Sequence, residues 1–249
     1  KPKKKKKKGK ATKDATANAA GVGGGSVEAA GRLLSYDPTA AVTWKSGEPV
    51  PYLFMADVFE EISNTTKRLE IAEMLTNAFR TILASSPQDL LASVYLASNT
   101  IAPQHEGVDL GIGDATLIKA LAEATGRKES AIKADYKEEG DLGIVAMESR
   151  STQKTMFAPP KLTVSGVLKE FRAIAMTEGK NSVDAKKAKM KKLLVASRGC
   201  EPGYIVRSLQ GKLRIGLAQQ TVNVALAHAV VLHSAAAAAA AQKKTTEGG

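Results

Sequence analysis

From Val27 onward apolar side chains recur every three or four residues, the spacing that lines one face of an α-helix. Leu53, Val58, Phe59 and Ile62 predict a helix over Pro51–Asn64, and Leu69, Ala72, Leu75, Phe79, Ile82 and Leu83 a second over Thr66–Ala84. Ser86–Pro87, a capping residue followed by proline at the first turn, opens a third running to about Asn99, with Asp89 near its positive dipole end. Asp114 caps a fourth, through Ile118, Leu121 and Ala124 to a stop at Gly126. Further helices are predicted at Glu129–Lys137, Asp141–Met147, Ser165–Thr177, Asp184–Ser197, Glu201–Gln210 and Thr221–Ala241. No alternating strand pattern of useful length appears. The fold class is all-α.

Two kinds of segment interrupt the periodicity. Ser149–Leu162 (SRSTQKTMFAPPKL) reads as a loop, because Pro159–Pro160 removes two backbone donors and pushes Ala158 out of helical space. It is the expected hinge between two helical lobes, about 27–148 and 163–241. Lys1–Ser26 has no apolar periodicity and is expected to be disordered; its lysine run reads as a nuclear import signal or a non-specific nucleic-acid arm. At the other end Ala235–Ala241 should continue the last helix as an exposed extension, with residues 242–249 fraying.

Composition adds little to this, and charge adds more. Residues are 43% hydrophobic but only 4% aromatic, as suits packed helices, and Cys200 is the single cysteine, so no internal disulfide forms. No apolar run is expected to reach bilayer-spanning length, and the N-terminus lacks the apolar core of a signal peptide. A chain beginning with lysine is expected to be processed or part of something longer. The net charge of +11 is unevenly spread: residues 1–14 carry +8, Ser35–Glu148 carry −9 and Ser149–Arg214 carry +11. Such asymmetry fits a face that meets a polyanion, or two halves that neutralise each other across a core.

Few residues are arranged for chemistry. His228 and His233 are five apart, off the spacing of a helical metal pair, and neither His105 nor any other histidine is spaced to activate Cys200. Gly111–Asp114 is a glycine turn into a helix, without the lysine and strand of a phosphate-binding loop. Glu60–Glu61 and Glu138–Glu139 sit on charged helical faces. Lys186–Lys192 (KKAKMKK) is either a solvated helix face or a phosphate contact. In Ser208–Leu217 (SLQGKLRIGL), Gly211 and Gly216 bracket Lys212 and Arg214. Two glycines five apart argue for a bend, and they let backbone amides approach a phosphate closely. That stretch is a phosphate grip or an inter-helix turn.

Several stretches in order resemble the N-terminal DNA-binding domain of eukaryotic ATP-dependent DNA ligases of the DNA ligase I type. They are Val50–Tyr52 with Phe59, Leu110–Asp114, Ala124–Arg127, Gly140–Leu142, Ser149–Gln153, Ser165–Val167, Phe171–Arg172 and Ser208–Leu217. The likeness runs from about Tyr36 to the helix after Leu217. It implies an all-helical domain with internal pseudo-symmetry that lies along the minor groove of nicked double-stranded DNA. It further implies a nuclear parent enzyme of replication, repair and recombination that uses ATP and Mg, the catalytic modules of the same polypeptide, and a sliding clamp as partner. The adenylating K-x-D-G motif of that family has no match; Lys133–Tyr136 carries tyrosine for glycine and reads as mid-helix. This stretch alone is therefore expected to be inactive, with no catalytic, cofactor or metal residue.

On this resemblance Gly211, Lys212, Arg214 and Gly216 form one DNA contact, Ser149, Arg150, Ser151, Thr152 and Gln153 a second, and Arg68 a further candidate. For the second group a plain cap-and-loop role competes. The alternative functions are a nuclear helical adaptor that binds acidic proteins through the basic lobe, and a self-contained enzyme.

Overall fold

The computed structural model describes residues 31–151 and 159–247, without the side chains of 151, 240, 241 and 243–247. Thr152, Gln153 and the lysine-rich segment 1–26 lie outside the described residues. Residues 31–35 are helical; after them come α1 (Tyr52–Ser63), α2 (Arg68–Ser85), a 3-10 turn at Pro87–Asp89 and α3 (Leu90–Ala97). Next are α4 (Asp114–Thr125), α5 (Glu129–Glu139), α6 (Leu142–Ser151), α7 (Val164–Ala175), α8 (Ser182–Ala196), α9 (Glu201–Leu209) and α10 (Gln219–Glu247). Among the described residues there is no strand, only an isolated antiparallel bridge between Pro51 and Thr163. It is flanked by Tyr52 N–H to Leu162 O at 2.8 Å and Val164 N–H to Val50 O at 2.9 Å.

One core joins these helices. α2 packs along α10, α6 against α9, α4 against α8 and α3 against α7, so helices from either side of 149–162 interlock. α9 is the innermost element, and all nine of its residues are buried. It abuts α1, where the Phe59 and Tyr204 rings lie 5.4 Å apart and Tyr204 donates to Glu60 Oε2 at 2.8 Å. Segment 36–50 is not helical, in keeping with Pro38, Gly47 and Pro49. It is tied to α2 instead: Arg80 donates to the carbonyls of Leu33 and Tyr36, and Trp44 Nε1 to Ser86 Oγ.

Asp89 stands at the N-cap of α3, near its positive end as expected, and its buried carboxylate also accepts the Val50 N–H at 2.7 Å, because that amide would otherwise be orphaned in the core. Three expectations are corrected. Helix α6 continues through Ser149 and Arg150 to Ser151, so the loop starts later than the sequence suggests. The last helix does not fray at Gln242 but runs to Glu247, since alanine and lysine are strong helix formers. Within it, Gln219–Ala239 is long and apolar enough, by length and composition, to cross a membrane. Asn223, His228, His233 and Ser234 interrupt its valines, leucines and alanines, so no unbroken apolar run marks it in the sequence; Val222, Ala225 and Ala229 bury one side of it, while Ala235–Ala239 is exposed as expected.

Glu201, a residue only 2% exposed, opens α9, and its Oε2 accepts the Arg198 N–H at 2.6 Å. Burial pushes its carboxyl up to about 7 from the ordinary 4.5. Below about pH 4.5 the group is neutral folded or unfolded; above about 7 the fold carries a buried charge. Stability is therefore lost as pH rises between those values. Glu201→Gln keeps the acceptor without the charge and should gain about 3 kcal/mol over the parent above pH ~7, shrinking to nothing near pH 4.5, in urea midpoints measured across pH. A gain independent of pH would contradict this.

Candidate nucleic-acid interface

Helix α9 ends in a Schellman motif. The Gly211 N–H reaches Ser208 O at 2.9 Å and the Lys212 N–H reaches Arg207 O at 3.0 Å, with Gly211 at φ +80°. In the loop beyond, exposure alternates: Leu213 and Ile215 are buried while Lys212 and Arg214 are exposed. Gly216, at φ +66°, then turns the chain toward α10. Arg214 itself sits at φ +59°, a left-handed conformation that costs a non-glycine residue about 1–3 kcal/mol. Two apolar anchors thus hold two cations at the surface.

The frame under this loop comes from stretches that are remote in sequence. Asp141 caps α6: its Oδ1 accepts the Gly143 N–H at 2.8 Å. Its Oδ2 meets Arg207 Nε at 3.1 Å and Nη2 at 3.0 Å, and both side chains are close to fully buried. The Arg207 guanidinium also lies 5.0 Å over the Tyr204 ring. A Cβ on Gly143 would stand 2.7 Å from Arg207 Nε and 2.8 Å from its Cγ, so only glycine leaves room. One residue earlier, the carbonyl of Gly140 accepts from Arg214 Nη1 at 3.0 Å.

The turn before α4 supports the same loop. Ile112 N–H donates to Leu209 O at 2.9 Å, and Gln210 Nε2 donates to Asp114 Oδ1 at 2.8 Å. Gly113, not Asp114, is the cap of α4; Asp114 is its first residue, and its carboxylate is taken by Gln210 and by the Tyr136 hydroxyl. Leu110–Asp114, Gly140–Leu142 and Ser208–Leu217, noticed separately in the sequence, therefore form one assembly.

The remaining predicted contacts lie differently. Ser149 is buried and its Oγ accepts from Arg127 Nη1 at 2.7 Å, while Arg127 Nη2 pairs with Asp135 at 2.5 Å. Arg150 is half-buried and donates to Val195 O at 2.6 Å, tying α6 to the end of α8. The side chain of Ser151 and the whole of Thr152 and Gln153 fall outside the description. Arg68 is exposed at the first turn of α2. Within Lys186–Lys192, Lys187 and Lys191 pair with Glu123 of α4 and Lys192 with Glu170 of α7, which favours the reading of a charged packing face. Lys133–Tyr136 is mid-helix in α5, with Asp135 committed to Arg127. Among the described residues no group of three or more His, Cys, Asp or Glu could hold a metal ion.

Comparison with known proteins agrees with the motif order. The family model described as the DNA ligase N terminus matches residues 51–227. DNA ligase 1 of Arabidopsis thaliana is 52% identical over 196 residues, covering 79% of this chain and 25% of that protein. DNA ligase 1 of Dictyostelium discoideum is 49% identical over 197 residues (79% and 16%), and that of Saccharomyces cerevisiae 42% over 185 residues (74% and 24%). The chain thus spans a quarter or less of the length of these relatives.

The frame makes a quantitative expectation. Asp141→Ala removes the cap of α6 and leaves the Arg207 guanidinium buried without a counter-ion, and should cost about 3–5 kcal/mol in urea unfolding. Gly143→Ala, which crowds the same pair, should cost about 1–3 kcal/mol. An Asp141→Ala cost below about 1 kcal/mol would show that the pair does not anchor the loop.

Proposed function

The chain belongs to the DNA ligase N-terminus family, and we propose that it grips nicked duplex DNA through the minor groove and phosphates, without reading sequence, for a ligase whose catalytic modules lie elsewhere in the polypeptide. The observation that carries the reading is the loop 211–216: Lys212 and Arg214 face outward, fixed by buried Leu213 and Ile215 and by the Asp141–Arg207 frame. A ligase must act at any sequence, and a rigid pair of cations beside exposed glycines contacts backbone phosphates equally well at all of them. Gly211 and Gly216 give close approach to a groove wall; Arg68 is a further phosphate contact. Ser149 and Arg150 tie α6 to its neighbours, since their polar groups turn to Arg127 and Val195.

In the parent enzyme ATP and Mg would serve an adenylating lysine outside this sequence, and the 5′-phosphate at the nick would receive AMP there before the 3′-hydroxyl displaces it. The lysine run at Lys1–Lys10 suits nuclear import, and a sliding clamp would engage through residues beyond this stretch. Replication and repair are the settings in which such nicks arise.

The test uses this chain and nicked duplexes of two unrelated sequences, titrated over a range of salt. Lys212→Ala with Arg214→Ala should weaken binding to both sequences alike and shallow the dependence of log K on log salt by about two. An unchanged slope, or a loss confined to one sequence, would overturn the reading.

A further inference from the structure

Among the described residues only two that are not glycine have positive φ, Asn99 at +50° and Arg214 at +59°. Both line one open depression of about 450 Å³, between the end of α3 and the loop 211–218. Backbone strain of this kind persists where the surroundings impose it, and it gathers at ligand sites.

Asn99 ends α3 in the same way that Gly211 ends α9. The Asn99 N–H reaches Leu96 O at 3.1 Å and the Thr100 N–H reaches Tyr95 O at 3.0 Å, a second Schellman motif. Gly126 and Gly140 stand at the corresponding left-handed position after α4 and α5, as Gly211 does after α9. Termination of α3 therefore requires nothing that glycine lacks. What asparagine adds is a carboxamide, and that carboxamide has no hydrogen bond among the described residues. Beside it the Ser98 hydroxyl is buried with no partner. No carboxylate lines the depression, whose polar side chains are Ser98, Asn99, Lys212 and Arg214. Every charge there is positive, and the Asn99 amide and the Ser98 hydroxyl can both donate, so the site suits an anion.

We propose that the Ser98–Asn99 turn and Arg214 together seat a phosphodiester of the bound duplex, the Asn99 Nδ2–H donating to one of its oxygens. Arg214 spends one nitrogen on Gly140 O and turns the rest of its guanidinium to the same phosphate. Ser98 gains its missing partner by rotating toward that group. The inference rests on the DNA-binding reading above but adds a wall to the site that carries no charge of its own, and this separates the two experimentally.

Parent, Asn99→Gly, Asn99→Asp and Lys212→Ala are titrated with nicked duplex by fluorescence anisotropy at several salt concentrations. Glycine accepts φ +50°, so Asn99→Gly should keep the parental urea midpoint while weakening binding roughly five- to tenfold. Its salt slope should match the parent, because no cation is lost, whereas Lys212→Ala shallows the slope by about one. Asn99→Asp, nearly isosteric and equally at home in a left-handed turn, should weaken binding by well over tenfold. If Lys212→Ala binds like the parent, the DNA-binding reading itself fails. If Lys212→Ala weakens but Asn99→Gly stays within about twofold of the parent, only the seat fails. Polyglutamate competing as well as duplex would also overturn it, since the site would then take acidic protein.

Discussion

The buried contact between Asp141 and Arg207 is the constraint on which the rest of the surface depends. A buried ion pair seldom adds net stability, because desolvating both partners costs as much as their attraction returns. Its value here is positional. Asp141 is held by its role as the cap of α6, and Arg207 by its place on a helix buried along its whole length. Joining them sets the rotation and height of α9 against α6. Since the carbonyl of Arg207 also closes the turn at Lys212, the start of the exposed loop inherits that position directly. Gly143 is part of the same constraint, because any side chain there would occupy the space of the guanidinium.

From that fixed point the loop needs few further restraints. Leu213 and Ile215 insert into the core and alternate with the exposed Lys212 and Arg214. The left-handed backbone of Arg214 is strained in isolation, and its bond to Gly140 O is one contact that offsets the strain. Such a surface trades adaptability for fixed spacing. On the proposed DNA-binding reading, fixed spacing is the useful property, because backbone phosphates recur regularly while base edges do not.

Much of this was legible in the chain itself. The apolar spacing predicts α9 within one residue of its observed end, and glycine placement predicts that Ser208–Leu217 bends where it does. What escaped was pairing across the fold. Nothing local ties Asp141 to Arg207, 66 residues away, or Leu209 to Ile112. Ser149 and Arg150 show the same limit from the other side. Hydroxyls and a cation beside a proline-rich stretch look like surface chemistry, yet α6 runs on through them and turns them to Arg127 and Val195. Asn99 gave no signal, because asparagine after a helix is an ordinary terminator. The structure adds that this turn lines the same depression as Arg214.

The uneven charge of the chain takes on a sharper form in three dimensions. Two carboxylates of the acidic half are spent on cations of the basic half: Asp141 on Arg207, and Glu123 on Lys187 and Lys191. Glu170 likewise compensates Lys192 within the basic half. Neutralisation across the core and attraction of a polyanion are therefore not rivals. The first concentrates the second, because cations that fix helices are compensated in place and their long-range field is diminished. Lys212 has no ion pair among the described residues, and Arg214 has only a backbone carbonyl, which leaves its charge intact. A modest number of uncompensated cations on a rigid edge can then dominate the local potential, despite many lysines elsewhere. The location of the proposed site follows less from where basic residues are abundant than from where the fold leaves them without acids.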